Sequence, residues 1–195
     1  TLTGFESEWS DLPFTCDVLG IDRRVWNPVI TTGSRWRLAG EERDQYRILS
    51  RLAREIDPRI TEETIRKACG IRTQRFRDAL QRIPQANVET LKVLRREGFA
   101  LGLVSNADAT EVETWQHCPL AGLFDSEIFS CEVGHVKPEP EIFAAALKAI
   151  QTLPDALRNQ PATRDLEARV RTALAATTRD SALDLQSSSS LTVSF

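Results

Sequence analysis

A chain of 195 residues, 41% hydrophobic and 27% charged, can bury one sizeable core, or one core carrying a small insert. Its formal net charge of −3 excludes the basic footprint of a nucleic-acid binder and a polybasic membrane surface. Without a signal peptide or an apolar run of membrane length, the expected location is cytoplasmic, with reduced cysteines.

Residues 1–83 read as helical. Over 41–56, Tyr46, Leu49, Leu52 and Ile56 recur at spacings of three and four, which makes one apolar stripe. Pro58 closes that helix and Thr61 caps the next, with Glu62 and Glu63 in its first turn. Gly70 is expected to end it, and 72–82 supplies a further helix around Phe76 and Leu80. Trp9, Trp26 and Trp36 fit a compact core better than a substrate wall. The basic stretch 35–59 is interleaved with acids and reads as solvated helix surface, although Arg35, Trp36 and Arg37 could also reach a charged substrate.

Residues 84–150 change character. Asn87 is placed to cap a helix through Val88, Leu91 and Leu94 that Gly98 stops. Residues 99–104 run almost wholly apolar, as a strand buried on both faces of a parallel sheet would. A helix from Asp108 through Trp115 follows, then a second strand within 124–131. Pro138 and Pro140 stand where a first helical turn tolerates proline, ahead of Ile142, Phe143, Leu147 and Ile150. Alternating helix and strand predicts a doubly wound α/β sheet. Residues 151–195 lack glycine and buried β-branched runs and contain the serine run 187–190. This segment predicts loose helices (166–176 is the best) or poor order.

The chemistry gathers at the expected sheet edge. Ser105 follows an apolar strand, where α/β sheets place ligands, and its hydroxyl with the amides of Asn106 and Ala107 could donate to a phosphate. Lys137, just ahead of a proline-started helix, could balance phosphoryl oxygens. Singly, Ser105 as a helix cap and Lys137 as a surface lysine are the plainer readings; together they favour a site. Cys16, Cys69, Cys118 and Cys131 form no CxxC pair, so separate buried thiols are expected rather than a metal site at His117-Cys118.

The stretches Leu103-Val104-Ser105-Asn106 and Val136-Lys137-Pro138-Glu139-Pro140-Glu141-Ile142-Phe143 resemble the second and third motifs of the haloacid dehalogenase-like (HAD) hydrolases. The closest resemblance is to the helical-cap subfamily that includes phosphoglycolate-phosphatase-like enzymes and haloacid dehalogenases. It implies an incomplete Rossmann-like parallel sheet at 84–150, a helical cap at 1–83 and a divergent segment at 151–195. It also implies a Mg²⁺-dependent phosphatase of a small phosphorylated metabolite, working through an aspartyl-phosphate. Ser105 and Asn106 would then bind phosphate, and Lys137 would steady the nucleophile and the transferring group.

Two departures shape the expectation. Thr1-Leu2-Thr3 looks like the tail of the first motif, which places the nucleophile upstream of Thr1 and predicts that this chain alone is inactive. Truncation, a frame error or true divergence would explain the missing first motif and the altered C-terminus. The metal-holding fourth motif is reduced to a trace over 159–165, in which Gln160 stands where an aspartate belongs and Asp165 is the one candidate Mg²⁺ ligand. A 2-haloacid dehalogenase-like hydrolase and a catalytically inactive phosphate-binding scaffold are the alternatives. Nucleic acid and membrane are not expected partners, and the oligomeric state is left open.

Overall fold

The computed structural model describes residues 10–159 and 161–180; Trp9, the Thr1-Leu2-Thr3 opening, Gln160, the serine run and 191–195 lie outside them. Five helices come first: α1 (Thr15–Leu19), α2 (Arg23–Thr31), α3 (Arg35–Leu38), α4 (Gln45–Ile56) and α5 (Glu62–Gln81). Asp44 and Thr61 start α4 and α5 by accepting the amides of Arg47 and Thr64 at 2.8 and 3.2 Å. The stripe on α4 buries Leu49 and Leu52 with Ile48, and these pack with Ile65 and Ala68 of α5 and with Trp26 and Trp36.

Gly70 does not end a helix. α5 runs unbroken for 20 residues, and the predicted break and second helix are one element. A mid-helix glycine costs only about 1 kcal/mol, and the turns beyond it are secured by buried Arg72, Arg75, Ala79 and Leu80. Asn87 is likewise not a cap. Helix α6 (Gln85–Arg96) starts behind Pro84, whose carbonyl already accepts the Asn87 amide at 2.9 Å.

The first strand is shorter and later than predicted: β1 is Gly102–Ser105, so Ser105 is its last residue rather than the one after it. Phe99 is 42% exposed. Leu101 exchanges its backbone groups with Asp125 instead of joining the ladder, its amide reaching Asp125 Oδ2 at 2.8 Å. Burial along β1 alternates, so the strand is not covered equally on both faces. β2 (Ser126–Phe129) pairs with it in parallel, from Gly102↔Ser126 to Ser105↔Phe129.

Between them lie α7 (Ala109–Glu113) and a single 3-10 turn (Trp115–His117), in place of one helix through Trp115. Trp115 sets its ring edge-on to Phe129, with centroids 5.6 Å apart, and anchors an apolar cluster with Leu91, Leu103 and Leu120. After β2 the chain forms α8 (Ser130–Val133), α9 (Pro140–Gln151), α10 (Asp155–Arg158) and α11 (Pro161–Asp180), the last packed on α9. The described residues therefore form a helical half and an incomplete α/β half with a two-stranded parallel sheet. Among them, no helix is long and apolar enough to cross a membrane.

Candidate active site

Ser105 ends β1 fully buried, and its hydroxyl has no hydrogen-bond partner among the described residues. A buried polar group without a partner costs free energy and calls for a reason. Lys137 does not end a strand. It lies in the loop between α8 and α9, and Asn106 brings it to the end of β1. The Asn106 side chain accepts the Lys137 amide at 2.7 Å and donates to the Lys137 carbonyl at 3.1 Å. The Lys137 ammonium then donates to the Val104 carbonyl at 3.2 Å, and burial lowers its pKa. Ser105, Asn106 and Lys137 thus meet at the carboxyl end of β1. The Ala107 amide is not free for a phosphate, because it donates to Ser130 Oγ at 3.0 Å. Ser105 caps no helix either; Asp108 caps α7.

Behind this turn lies a cluster that the sequence reading missed. Arg37 on α3 is 3% exposed and Arg72 on α5 is 7% exposed, so neither is solvated helix surface. Both guanidinium groups donate to buried Asp108 Oδ2, at 2.5 and 2.7 Å. Oδ1 of the same carboxylate accepts the amides of Thr110 and Glu111 at 3.0 and 3.3 Å. Burial alone would raise the Asp108 pKa, but the charges of Arg72 and Arg37 outweigh it and hold it at about 2. Burial first, then the Asp108 charge, push Glu111 up to about 7. Asp108 followed by Glu111 at helix position N3 was legible as a capping box. Its arginine partners, 71 and 36 residues away, were not.

The helical half also meets the α/β half at Cys131 and at Glu139. Gly40 has φ +71°, and a Cβ there would stand 2.0 Å from the Cys131 carbonyl oxygen, so only glycine fits. Arg43 donates to that same oxygen at 2.6 Å. Exposed Arg35 pairs with Glu139 through two bonds of 2.6 and 2.9 Å.

A family profile described as haloacid dehalogenase-like hydrolase matches residues 23–157, more than half of the chain. The chain belongs to the haloacid dehalogenase-like hydrolases. Bifunctional epoxide hydrolase 2 of Rattus norvegicus is 29% identical over 82 residues, which cover 40% of this chain and 15% of that protein. The match thus spans well under two thirds of the relative's length.

Many HAD chemistries involve a divalent metal, and the described residues do not fit one where the sequence suggested it. Asp165 lies exposed on α11, and residue 160 is outside the described residues. Mg²⁺ is octahedral, commonly held by one or two carboxylates with water filling the rest. Among the described residues, Asp165 belongs to no group of three or more converging metal-binding side chains. Burial raises the pKa of every cysteine thiol, to about 11 at Cys131, which disfavours the nucleophilic thiolate. His117 and Cys118 form no metal-binding group among the described residues. Neither described strand ends in an aspartate, since β1 ends at Ser105 and β2 at Phe129.

Proposed function

We propose that these residues are the phosphate-holding part of a HAD-like phosphatase acting on small phosphorylated metabolites in the cytoplasm. The observation that carries this reading is the buried Ser105 hydroxyl, without a partner among the described residues, at the same strand end to which Lys137 donates its ammonium through the Val104 carbonyl. A phosphoryl oxygen would accept a hydrogen bond from the Ser105 hydroxyl, and the Lys137 charge would offset the negative charge gathering on the transferring group. Asn106 is the positioning residue, since both its side-chain bonds go to the Lys137 backbone. The family resemblance assigns the covalent step to an aspartate after a first strand; this chain, lacking one among its described residues, is expected to bind phosphate without turning it over. Where the fourth motif would lie, the described residues offer Mg²⁺ one exposed carboxylate, Asp165 on α11. Neither nucleic acid nor a membrane is part of this reading.

The test is direct. Inorganic phosphate titrated into the chain should bind, and Ser105→Ala and Lys137→Met should each abolish binding while leaving the far-UV spectrum intact. Hydrolysis of an aryl phosphate should stay at background with or without Mg²⁺. Turnover that vanishes in Ser105→Ala would reveal a nucleophile in this chain, and phosphate binding unchanged in both variants would remove the site. Gln160, standing where the fourth motif has an aspartate, favours a second reading, a metal-independent 2-haloacid dehalogenase-like hydrolase. A haloacid displacing phosphate from Lys137 would support it.

A further inference from the structure

Away from Ser105, one set of metal-binding atoms converges. His135, Glu139 and Glu141 each offer a ligand atom, and these atoms lie within 4.8 Å of one another. His135 Nδ1 and Glu139 Oε2 are 3.6 Å apart. That is close to the ~3.3 Å edge of a tetrahedron whose ligands stand about 2.0–2.1 Å from zinc. The three residues belong to one short segment, and it is pinned internally and from outside. Glu139 donates its amide to the Val136 carbonyl at 2.7 Å, and Asn106 holds the Lys137 amide at 2.7 Å. Two of the three side chains are half-buried and Glu141 is exposed, which leaves room for a water ligand.

One imidazole nitrogen and two carboxylate oxygens suit Zn²⁺ and its transition-metal neighbours rather than Mg²⁺. We propose that His135, Glu139 and Glu141 form a weak site for such a cation, and that its binding displaces Arg35 from Glu139. Arg35 holds both Glu139 oxygens now, at 2.6 and 2.9 Å. The Arg35 side chain is 51% exposed, and exposed pairs of this kind are weakly held and screened by salt. A second partner is at hand, because Arg35 also stands 3.8 Å from the Glu41 carboxylate. Cation and guanidinium therefore compete for one carboxylate, and each lowers the other's hold by the same factor. The contact given up is one that ties α3 to the loop carrying Lys137.

Co²⁺ titrated into the reduced chain and followed by visible absorption tests this. The expected result is one ion per chain without a thiolate-to-metal charge-transfer band. His135→Ala and Glu141→Gln should each weaken binding at least roughly tenfold, and Arg35→Ala should tighten it several-fold. All three positions lie at the surface or near it, so far-UV spectra should be unchanged. Binding unaltered in His135→Ala, a thiolate band that tracks binding, or no binding at millimolar cobalt would each overturn the site. An Arg35→Ala variant that binds no tighter would overturn the competition.

Discussion

Asp108 shows how much one side chain can hold. Its carboxylate closes the first turn of α7 and accepts from two buried guanidinium groups drawn from α3 and α5. Replacing it by Asn should cost about 3–5 kcal/mol, because Arg37 and Arg72 keep their charges in a buried site and lose their nearest carboxylate, with only Glu111 left at 3.8 and 3.5 Å. Urea unfolding measures this, and Asp57→Asn at the exposed Arg59 pair serves as the control that barely moves. Glu111 gives the same cluster a pH signature. Its pKa is raised from 4.5 to about 7, so the folded protein holds that proton more tightly than the unfolded chain. The stability Glu111 contributes is full below about 4.5 and is lost as pH rises through about 7. Asp108, lowered from 3.8 to about 2, works oppositely: its contribution is present above 3.8 and lost as pH falls through about 2. Glu111→Gln should therefore flatten stability against pH between about 4.5 and 7 relative to the unaltered chain. A difference between the two that does not change across that window would show Glu111 to be an ordinary surface acid. Ser105→Ala makes a contrasting prediction. Removing a buried hydroxyl with no partner among the described residues should leave thermal stability equal or higher while phosphate binding disappears.

At the scale of elements, Gly70 is the instructive residue. It is exposed, helical and surrounded by open space, since a Cβ there would meet nothing within 4 Å. Gly70→Ala should stabilise the protein by about 0.5–1 kcal/mol in urea unfolding, by restricting the unfolded chain and improving helix propensity. A loss of stability would mean that α5 is broken there after all. The sequence was readable where local chemistry decides the outcome: Thr61 starts α5, Pro140 starts α9, and Leu49 and Leu52 face the core. It misled where packing overrides a local signal. Gly70 signals a stop, and the buried turns beyond it continue the helix. Leu101 signals a strand, and Asp125 takes its amide. Arg37 and Arg72 signal solvent, because nothing local marks a charged residue whose counter-ion lies far along the chain. For the site, the strand-end serine and the Lys137 loop were legible from motifs. Asn106 as the link between them needed coordinates.

The whole molecule binds its two halves through both apolar and polar contacts. Leu80 and Ile83 of the helical half share a core with Leu103 and Trp115, and Leu38 and Ala39 pack on Val136 beside Lys137. One cooperative unfolding transition is therefore expected rather than two. Trp26 and Trp36 report on one half and Trp115 on the other, so single-tryptophan variants followed by fluorescence should share a midpoint with far-UV dichroism. Separate midpoints would show halves that fold independently.

The unbroken course of α5 gives this union a mechanical side. Twenty helical residues make a rod about 30 Å long, and Arg72 stands roughly 15 Å from its outer end. Such a rod is a lever. A lean of about 4° at the outer end carries Arg72, and with it Asp108 and the turn after Ser105, by roughly 1 Å. Displacements of that size change rates about a hundredfold when a reacting group must be held in line.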